Sequence, residues 1–408
     1  MCGKVNIQIS HIAIIILLFW FNFHVNGQNS LTGNVFDKVN RTPVADATVY
    51  INGTTKGTST DSNGFFSISE ITVPCQLMIS RVGYDLKMIN LCNLTADDLT
   101  VLLHEKTIQL SEVKVSGKNT RSEAVEKFRE AFLGTDEWGK KANLLNDSVL
   151  VFNRYNDTVK IILDTLTTKH ENRFYSNEID NENKFQVSQV FSVKSKAPLI
   201  VDLPLLGYKL SVDLESFNII ENKKATICKY LGYYYCKPYG FVNNRTDRKY
   251  RKNRMNAFYI SREHFCRMLY RNELKQNGYV VFGKFVNDST KQLETKFANL
   301  RDFMTYKDEN EFQITGLKGK VFYIYDFYNY ANKPIDLTNS KKFKFNSIEE
   351  FSKENYYYLS GSSTIMFTSD TCTIRSDGTL PDNNIVFGGK ISKKKVGATI
   401  PWDYEIGK

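Results

Sequence analysis

The sequence predicts a mainly β protein, in which a small N-terminal β-sandwich precedes a larger α+β, β-rich region. Two observations carry this prediction. Between residues 28 and 117, short alternating apolar and polar runs are separated by turn residues at intervals of about 8 to 12. From residue 118 to 408, strand patterns rich in tyrosine and phenylalanine alternate with a few segments of helical spacing. The 408 residues are 42% hydrophobic and 24% charged, which indicates a folded chain.

The first 27 residues are expected to be a cleaved secretory signal. Lys4 precedes an apolar run from Ile12 to Phe21. Val25-Asn26-Gly27 is the expected signal-peptidase cleavage site, with Gln28 as the first mature residue. The apolar run is too short to anchor the chain in a bilayer, because a membrane-spanning helix needs about 20 apolar residues. We therefore expect an exported protein.

Strand patterns in the N-terminal region lead us to expect about seven strands. Asn52-Gly53 predicts a hairpin turn, because both residues tolerate positive φ. Asp61 and Gly64 predict a further turn, in which the Asp61 side chain accepts from the backbone two residues on. A calcium loop is the weaker interpretation, since apolar Phe65 follows where a further oxygen ligand would be needed. The strand patterns cover residues 31–36, 47–51, 65–68, 76–82, 87–91 and 99–103.

Two helices and a hairpin stand out in the longer region. Apolar residues at helical spacing predict a helix over about residues 122–133. A second helix is expected over about 261–277, with Ser261 as its N-cap. Strand patterns at 149–155 and 159–163 predict a β-hairpin with a turn between them.

The positive charge is unevenly distributed. The formal net charge is +10, yet residues 28–117 hold 7 Lys/Arg against 9 Asp/Glu, a net of −2. The basic character of the longer region favours anionic partners such as acidic glycans, lipopolysaccharide or phospholipid head groups. No nucleic-acid partner is expected, because no nucleic-acid-binding motif is visible.

The densest basic segment is a candidate surface for anionic ligands. Six of its ten residues are positive: Arg245, Arg248, Lys249, Arg251, Lys252 and Arg254. One interpretation is a solvated strand or loop edge that its charge protects from pairing. The other is a contact surface for head groups or glycan phosphates, which would make any membrane association peripheral.

Cys75 and Cys92 are predicted to form a disulfide. Val82-Gly83-Tyr84 lies midway between them, so a hairpin reversing there would place the two cysteines opposite each other. Opposed antiparallel residues have Cα atoms about 4.5 to 5.5 Å apart, which a disulfide can bridge. The alternative is two reduced, buried thiols. Cys228 and Cys236 form a weaker candidate pair, since the chain between them could continue as one strand.

The order and spacing of several N-terminal motifs resemble the carboxypeptidase-regulatory-like domain. The matching residues are Gly33-x-Val35-x-Asp37, Pro43-Val-Ala-Asp-Ala47-x-Val49, Gly53-Thr54, Gly57-Thr58-x-Thr60-Asp61-x-x-Gly64-x-Phe66, Val82-Gly83-Tyr84 and Leu110-Ser-Glu-Val-Lys-Val115. That module has a transthyretin-like sandwich and often precedes the plug of TonB-dependent outer-membrane receptors. The resemblance implies a transthyretin-like fold for residues 28–117.

The longer region resembles the uncharacterised β-rich part of Gram-negative envelope proteins that carry the same sandwich. Its matching motifs include Leu206-Gly207-Tyr208, Tyr259-x-Ser261-x-x-His264-Phe265-x-Arg267-x-Leu269, and Ile400-Pro-Trp-Asp-Tyr404. This resemblance implies secretion across the inner membrane, to the periplasm or to the outer membrane and cell surface. It implies no particular reaction.

The residues argue against a zinc carboxypeptidase. Such an enzyme needs a His-x-x-Glu pair and a distant second histidine. The residues three positions after His104, His170 and His264 are Thr107, Arg173 and Arg267, none of them glutamate. No metal or other cofactor is expected.

His264 stands beside Ser261, Glu263 and Cys266, a set that suggests nucleophilic catalysis. Residues two apart on a helix point to different sides, so His264 is poorly placed to activate Cys266. A hydrogen-bonded structural histidine is the favoured interpretation.

The function expected from the sequence is non-enzymatic binding or assembly at the cell envelope, with a link to TonB-linked nutrient uptake. Two alternatives remain open at this point. One is an undescribed hydrolase of an envelope polymer or glycan, and the other is an accessory component of a TonB-dependent receptor. An outer-membrane protein, a glycan or lipopolysaccharide is the expected partner.

Overall fold

The computed structural model describes residues 30–406, with gaps at 94–97, 107–120, 161–184, 222–225, 260, 287–292, 309, 329–332, 339–358 and 383. The expected signal segment, residues 1–27, lies outside the described residues. The protein is mainly β, with an N-terminal sandwich and a larger β-rich region, and this confirms the predicted fold class. None of the helices in the described ranges combines the length and the apolar character needed to cross a membrane.

Seven short strands form the N-terminal sandwich, as the sequence predicts. One sheet has the order β4-β1-β7 and the other β3-β2-β5-β6. Every second residue of β1 is buried, because one face of the strand packs on the core between the sheets. The three-residue strand β3 was missed, being too short to show alternation. The bounds are β1 (Leu31–Asp37), β2 (Thr48–Ile51), β3 (Gly57–Ser59), β4 (Phe65–Ile68), β5 (Cys75–Ser80), β6 (Lys87–Leu91) and β7 (Leu99–Leu103).

The Asp61 turn is formed by the chemistry that the sequence predicts. Asp61 Oδ1 accepts from the backbone N–H of Asn63 at 2.8 Å and from that of Phe65 at 2.9 Å. Gly64 has φ +74°, a left-handed conformation that glycine adopts at little cost. Turn formation therefore accounts for this motif.

The first part of the longer region is a six-stranded sheet covered by a helix. One edge of β12 pairs first with β11 and then with β10, while its other edge pairs with β13 along its whole length. Phe128 and Phe132 of α1 pack edge-on against Phe217 of β12. The elements are α1 (Arg121–Leu133), α2 (Glu137–Lys141), β8 (Asn143–Leu144), β9 (Leu150–Lys160), β10 (Phe185–Ser195), β11 (Leu199–Leu203), β12 (Tyr208–Glu221) and β13 (Thr226–Pro238).

The hairpin predicted with strands at 149–155 and 159–163 is wrong. Strand β9 runs without a turn through Asn156 and Asp157, which pair with Gln189 and Ser188 of β10. Strand β9 lies at the end of its sheet, and both side chains are exposed. Turn-forming residues can therefore stay solvated within a strand at this position. Residues 161–163 lie outside the described residues.

Two helices follow, α3 (Asn244–Phe258) and α4 (Arg262–Arg271). The predicted Ser261 cap is present, since its Oγ accepts from the His264 N–H at 3.0 Å. The predicted end near residue 277 is wrong. Helix α4 stops at Asn272, whose φ of +61° is left-handed, and a separate 3₁₀ turn follows at Lys275–Asn277.

The remaining strands form two sheets that pack on α4. Phe265 and Leu269 of α4 share a buried core with Ile324 and Ile365 of the larger sheet. The sheet orders are β15-β14-β18-β19-β21 and β16-β17-β20. The elements are β14 (Tyr279–Val286), β15 (Leu293–Phe297), β16 (Met304–Asp308), β17 (Glu311–Thr315), β18 (Val321–Phe327), β19 (Leu359–Phe367), β20 (Thr371–Arg375), β21 (Ile385–Gly388) and α5 (Gly389–Lys393).

Candidate functional sites

The basic segment is a helix, not the strand or loop edge that one interpretation expected. Asn243 caps α3 by accepting from the Thr246 N–H at 2.9 Å. The sequence from 244 onward is rich in Arg and Lys, which are good helix formers, so cap and propensity agree. At a helical repeat of 3.6 residues, four exposed residues fall on one side of α3, and we call them the basic face: Arg245, Arg248, Lys249 and Lys252.

The opposite side of α3 is fastened to the turn between β11 and β12. Asn253 Nδ2 donates to the Leu205 carbonyl at 2.8 Å. Arg254 Nε donates to the Leu206 carbonyl at 2.8 Å, and its guanidinium lies 4.2 Å from the centre of the Tyr208 ring. Because this side of the helix is anchored, the basic face points away from the protein.

Three of the six predicted ligand residues have partners inside the molecule. Arg248 stays exposed, and its Nε donates to the Asn244 carbonyl of the same helix at 3.3 Å. Arg254 is half-buried in the contacts just described, so it lies outside the exposed basic face. Arg251 is exposed but donates to Asp247, one helical turn away, at 2.8 Å. The basic face is therefore limited to Arg245, Arg248, Lys249 and Lys252.

Two exposed apolar side chains precede α3. Phe241 is 76% exposed and Val242 is 63% exposed, and they come directly before the Asn243 cap. The chain therefore places two exposed apolar side chains directly before the basic face. The sequence does not identify this pair, because two apolar residues between a strand and a helix form no pattern that shows whether they are buried or exposed.

The predicted Cys75–Cys92 disulfide is absent, and both thiols are free. The hairpin between β5 and β6 is present, but Cys75 lies opposite Leu91, one residue from the expected register. A shift of one residue turns a side chain to the other face of a sheet, which separates the two thiols. Burial raises the pKa of the Cys75 thiol to about 11. Cys228 and Cys236 are also free and lie within the continuous strand β13.

His264 has the structural role that the sequence favours. Its ring is fully buried, and Nδ1 lies 2.9 Å from the Tyr279 hydroxyl. Burial lowers the pKa of His264 to about 3, so the ring is neutral at physiological pH. Burial also raises the pKa of the Cys266 thiol, and the Ser261 hydroxyl is engaged as the helix cap. Both His264 and Cys266 are therefore held in their uncharged forms.

The loop between β2 and β3 joins the sandwich to the longer region. The Gly53 N–H donates to the Tyr234 carbonyl at 2.7 Å, and the Cys236 N–H donates to the Thr54 carbonyl at 2.9 Å. On its other side, the Trp402 N–H donates to the Gly53 carbonyl at 2.8 Å. The loop is thus inserted between strand β13 and the C-terminal residues 400–405.

A buried polar contact supports this junction. Asp213 of β12 accepts from the Tyr50 hydroxyl at 2.6 Å through one carboxylate oxygen. The other oxygen accepts from the Ser80 hydroxyl, also at 2.6 Å. Burial raises the pKa of Asp213, and the two hydroxyl donors act in the opposite direction.

Next to the junction lies a cleft of about 380 Å³. Its walls are sandwich residues 51–56 and 70–76, α4, the turn after β20, and residues 402–405. Arg267 of α4 fixes three of these walls, since its guanidinium donates to the carbonyls of Asp377, Trp402 and Tyr404, each at 2.6 Å. Arg267 therefore ties α4, the turn after β20 and the C-terminal residues to one another.

The sequence motifs contain Arg267 and Trp402, but nothing in the sequence joins them. They are 135 positions apart and meet only in the folded chain. Within the described ranges, no group of three or more His, Cys, Asp or Glu side chains is arranged to hold a metal ion.

Residues 31–115 match the family model of the CarboxypepD_reg-like domain. All seven sandwich strands lie within that match. The sandwich is a CarboxypepD_reg-like domain. The match ends at residue 115, so the longer region, which completes the cleft with this CarboxypepD_reg-like domain, lies beyond it.

Comparison with curated proteins found no match. Two solved structures are similar to part of the chain, and both are mutants of a type II cohesin–X-dockerin complex from Acetivibrio cellulolyticus. The N-terminal interface mutant is 28% identical over 19% of this chain and 57% of that chain, with a TM-score of 0.16. The C-terminal interface mutant is 24% identical over 26% of this chain and 78% of that chain, with a TM-score of 0.17. The chain thus spans just over half the length of the first of these.

Proposed function

We propose that the protein is a non-enzymatic binding protein of the bacterial cell envelope that docks on an anionic membrane surface through α3. The observation that carries the proposal is the basic face with Phe241 and Val242 beside it. Basic residues near an anionic bilayer contribute about 1 kcal/mol each. Apolar side chains add to this attraction when they enter the boundary between head groups and acyl chains.

Export is the second part of the proposal. The apolar run from Ile12 to Phe21 supports a cleaved signal, and the sequence resemblance supports the periplasm or the outer membrane as the destination. In that compartment, phosphatidylglycerol head groups and the phosphates of lipopolysaccharide offer the same anionic chemistry. A TonB-linked outer-membrane receptor is the protein partner to test first, by co-purification from the producing cell.

The test is co-sedimentation of the mature chain with vesicles of phosphatidylethanolamine, with or without phosphatidylglycerol. We expect binding only to the anionic vesicles, and binding that weakens as salt is raised, because exposed charges are screened over about 8 Å at physiological ionic strength. Lipopolysaccharide in place of phosphatidylglycerol forms a separate arm, which distinguishes the two sources of phosphate.

A charge-reversed variant with a matched control sharpens the test. Replacing Arg248, Lys249 and Lys252 by Glu should abolish binding at physiological salt. The control makes the same charge change at three exposed lysines elsewhere, Lys87, Lys140 and Lys275, and should keep most of it. Equal loss of vesicle binding in both variants would show that binding depends only on the net charge of the protein. No loss in either variant would refute the proposal.

The apolar pair is tested by Phe241→Ser with Val242→Ser. Burying part of each side chain should be worth about 1 kcal/mol or more, so affinity should fall about tenfold. This loss should persist at high salt, unlike that of the charge-reversed variant. Unchanged affinity would limit the contact to the head groups.

A further inference from the structure

The cleft between the CarboxypepD_reg-like domain and the longer region contains two buried polar atoms without partners. Thr379 is 7% exposed and lines the cleft, and its Oγ1 has no hydrogen-bond partner in the described structure. The Nε1 of Trp402, another lining residue, is also buried without a partner. Buried polar groups are nearly always hydrogen-bonded, so these two groups, on residues that line one cleft, have hydrogen-bonding capacity that the described structure does not use.

At both positions the backbone N–H and carbonyl groups are hydrogen-bonded within the protein, and the side-chain atoms are the groups that lack a partner. The Thr379 N–H donates to Asp377 Oδ1 at 2.9 Å, and the Thr379 carbonyl accepts from the Arg375 N–H at 3.0 Å. The Trp402 N–H donates to Gly53, and its carbonyl accepts from Arg267. The hydroxyl and the indole N–H are therefore attached to fully bonded backbone.

The charge of the lining is balanced. Four basic and four acidic side chains border the cleft, and a ligand of high net charge would gain no net attraction from them. Most of these charges are engaged with protein groups, such as Arg375 with Glu311 at 2.7 Å. The eight residues are Lys56, Arg267, Arg271, Arg375, Glu70, Asp377, Asp403 and Glu405.

The described lining of the cleft offers a peptide no free backbone edge. Strand β20 lies at the end of its sheet and contributes Arg375, but the Arg375 N–H donates to the Thr379 carbonyl and the Arg375 carbonyl accepts from the Gly378 N–H. Strands β2 and β5 contribute to its wall, and each already pairs with a strand on both sides, in the order β3-β2-β5-β6. Peptides that bind by strand addition need an unpaired edge. The polar groups are instead single donors and acceptors, accompanied by the aromatic residues Tyr270, Trp402 and Tyr404.

We propose that this cleft binds a small, neutral, hydroxyl-rich ligand: a glycan segment of one or two sugar units. Both atoms are enclosed in the protein without ligand, so the ligand reaches them when the two side chains turn towards the cleft. One sugar hydroxyl then accepts from Trp402 Nε1 while another bonds Thr379 Oγ1. Aromatic side chains pack against the apolar faces of sugar rings. The volume of about 380 Å³ is at the small end of ligand pockets, which limits the ligand to this size.

The first experiment screens the mature chain against an array of neutral oligosaccharides, followed by titration of the best binder with tryptophan fluorescence as the readout. Saturable binding of a neutral glycan is expected. An array that yields only acidic glycans, or none at all, would overturn the proposal.

The second experiment uses Thr379→Val, which keeps the shape of the side chain and removes its hydroxyl. Glycan affinity should fall about tenfold, while the midpoint of thermal unfolding should stay or rise, because an unpaired buried hydroxyl has been removed. Trp402→Phe should likewise weaken binding by removing the indole donor. Exposed Thr371, outside the cleft, gives the matched control Thr371→Val, which should bind as the parent does. Unchanged affinity in Thr379→Val would refute the site, whatever the vesicle experiments show.

Discussion

His264 shows how burial converts a titratable residue into a structural one. The ring is enclosed by Phe258, Tyr259 and Tyr279, whose ring centres lie 5.0 to 5.5 Å away. Burial lowers its pKa to about 3, and nearby Lys394 and Arg267 act in the same direction. Protonation of the ring in the folded protein therefore requires a pH far below about 6.5, the usual pKa of histidine.

This shift predicts acid sensitivity. Between pH 6.5 and 3 the unfolded chain binds a proton at His264 that the folded chain does not, so stability falls as the pH falls through that window. The contribution is up to about 1.4 kcal/mol per pH unit. His264→Gln should show a shallower decline in urea-unfolding free energy over this range, while vesicle binding stays unchanged. The same substitution at exposed His104 is the control, and an identical decline in both variants and the parent would contradict the assignment.

At the scale of the element, α3 depends on a lysine from a distant part of the chain. Lys394 Nζ donates to the carbonyls of Asn256 at 3.2 Å, of Ala257 at 2.5 Å and of Tyr259. The last carbonyls of a helix have no partner within it, so the ammonium completes the C-terminal end of α3. The C-terminal part of α3 is therefore held both by the turn between β11 and β12 and by Lys394.

Lys394→Met tests this support, since methionine keeps most of the apolar stem and loses the three bonds. Leaving buried carbonyls without a donor should lower the free energy of unfolding by about 1–3 kcal/mol. The neighbouring Lys393 is exposed, so Lys393→Met is a matched control that should change stability little. Chemical denaturation of the two variants decides the point, and equal stability would show that α3 ends without help from Lys394.

The elements differ in how far the sequence predicts them. Strands with a buried and an exposed face, such as β1, show alternation and were predicted, whereas β3 is too short to do so. The basic run lacked an apolar stripe and was therefore open to a strand or loop interpretation, although Asn243 and the high helix propensity pointed to a helix. The predicted register of β5 and β6 differs from the observed one by one residue. The geometry of the turn sets the register, and the midpoint between Cys75 and Cys92 in the sequence does not determine that geometry.

At the scale of the whole molecule, the candidate cleft exists only because the two regions are joined. Its lining comes from residues near 51–76, 267–271, 375–379 and 402–405, and no local pattern brings such segments together. Several of these segments contain sequence motifs, but the sequence alone does not show that Arg267 forms hydrogen bonds between them. The Asn52-Gly53 turn signal likewise predicted a hairpin and not its insertion against Tyr234 and Trp402.

Gly53 is the position at which this junction can be tested. Its φ is +75°, and a Cβ atom there would lie 2.3 Å from the Trp402 ring. Gly53→Ala should therefore combine backbone strain with a clash that pushes Trp402 away. The left-handed conformation costs a non-glycine residue about 1–2 kcal/mol, and overpacking adds about 1–3 kcal/mol.

Gly83→Ala separates the two effects, since Gly83 has φ +90° but open space where its Cβ would lie. Calorimetry should show a single unfolding transition for the parent and for Gly83→Ala, the latter with a modestly lower midpoint. Gly53→Ala should be less stable than Gly83→Ala and should separate unfolding of the CarboxypepD_reg-like domain from that of the longer region, because the loop no longer fits between Tyr234 and Trp402. It should also lose glycan binding in the cleft. Equal midpoints for the two variants would mean that the loop is not what holds the regions together.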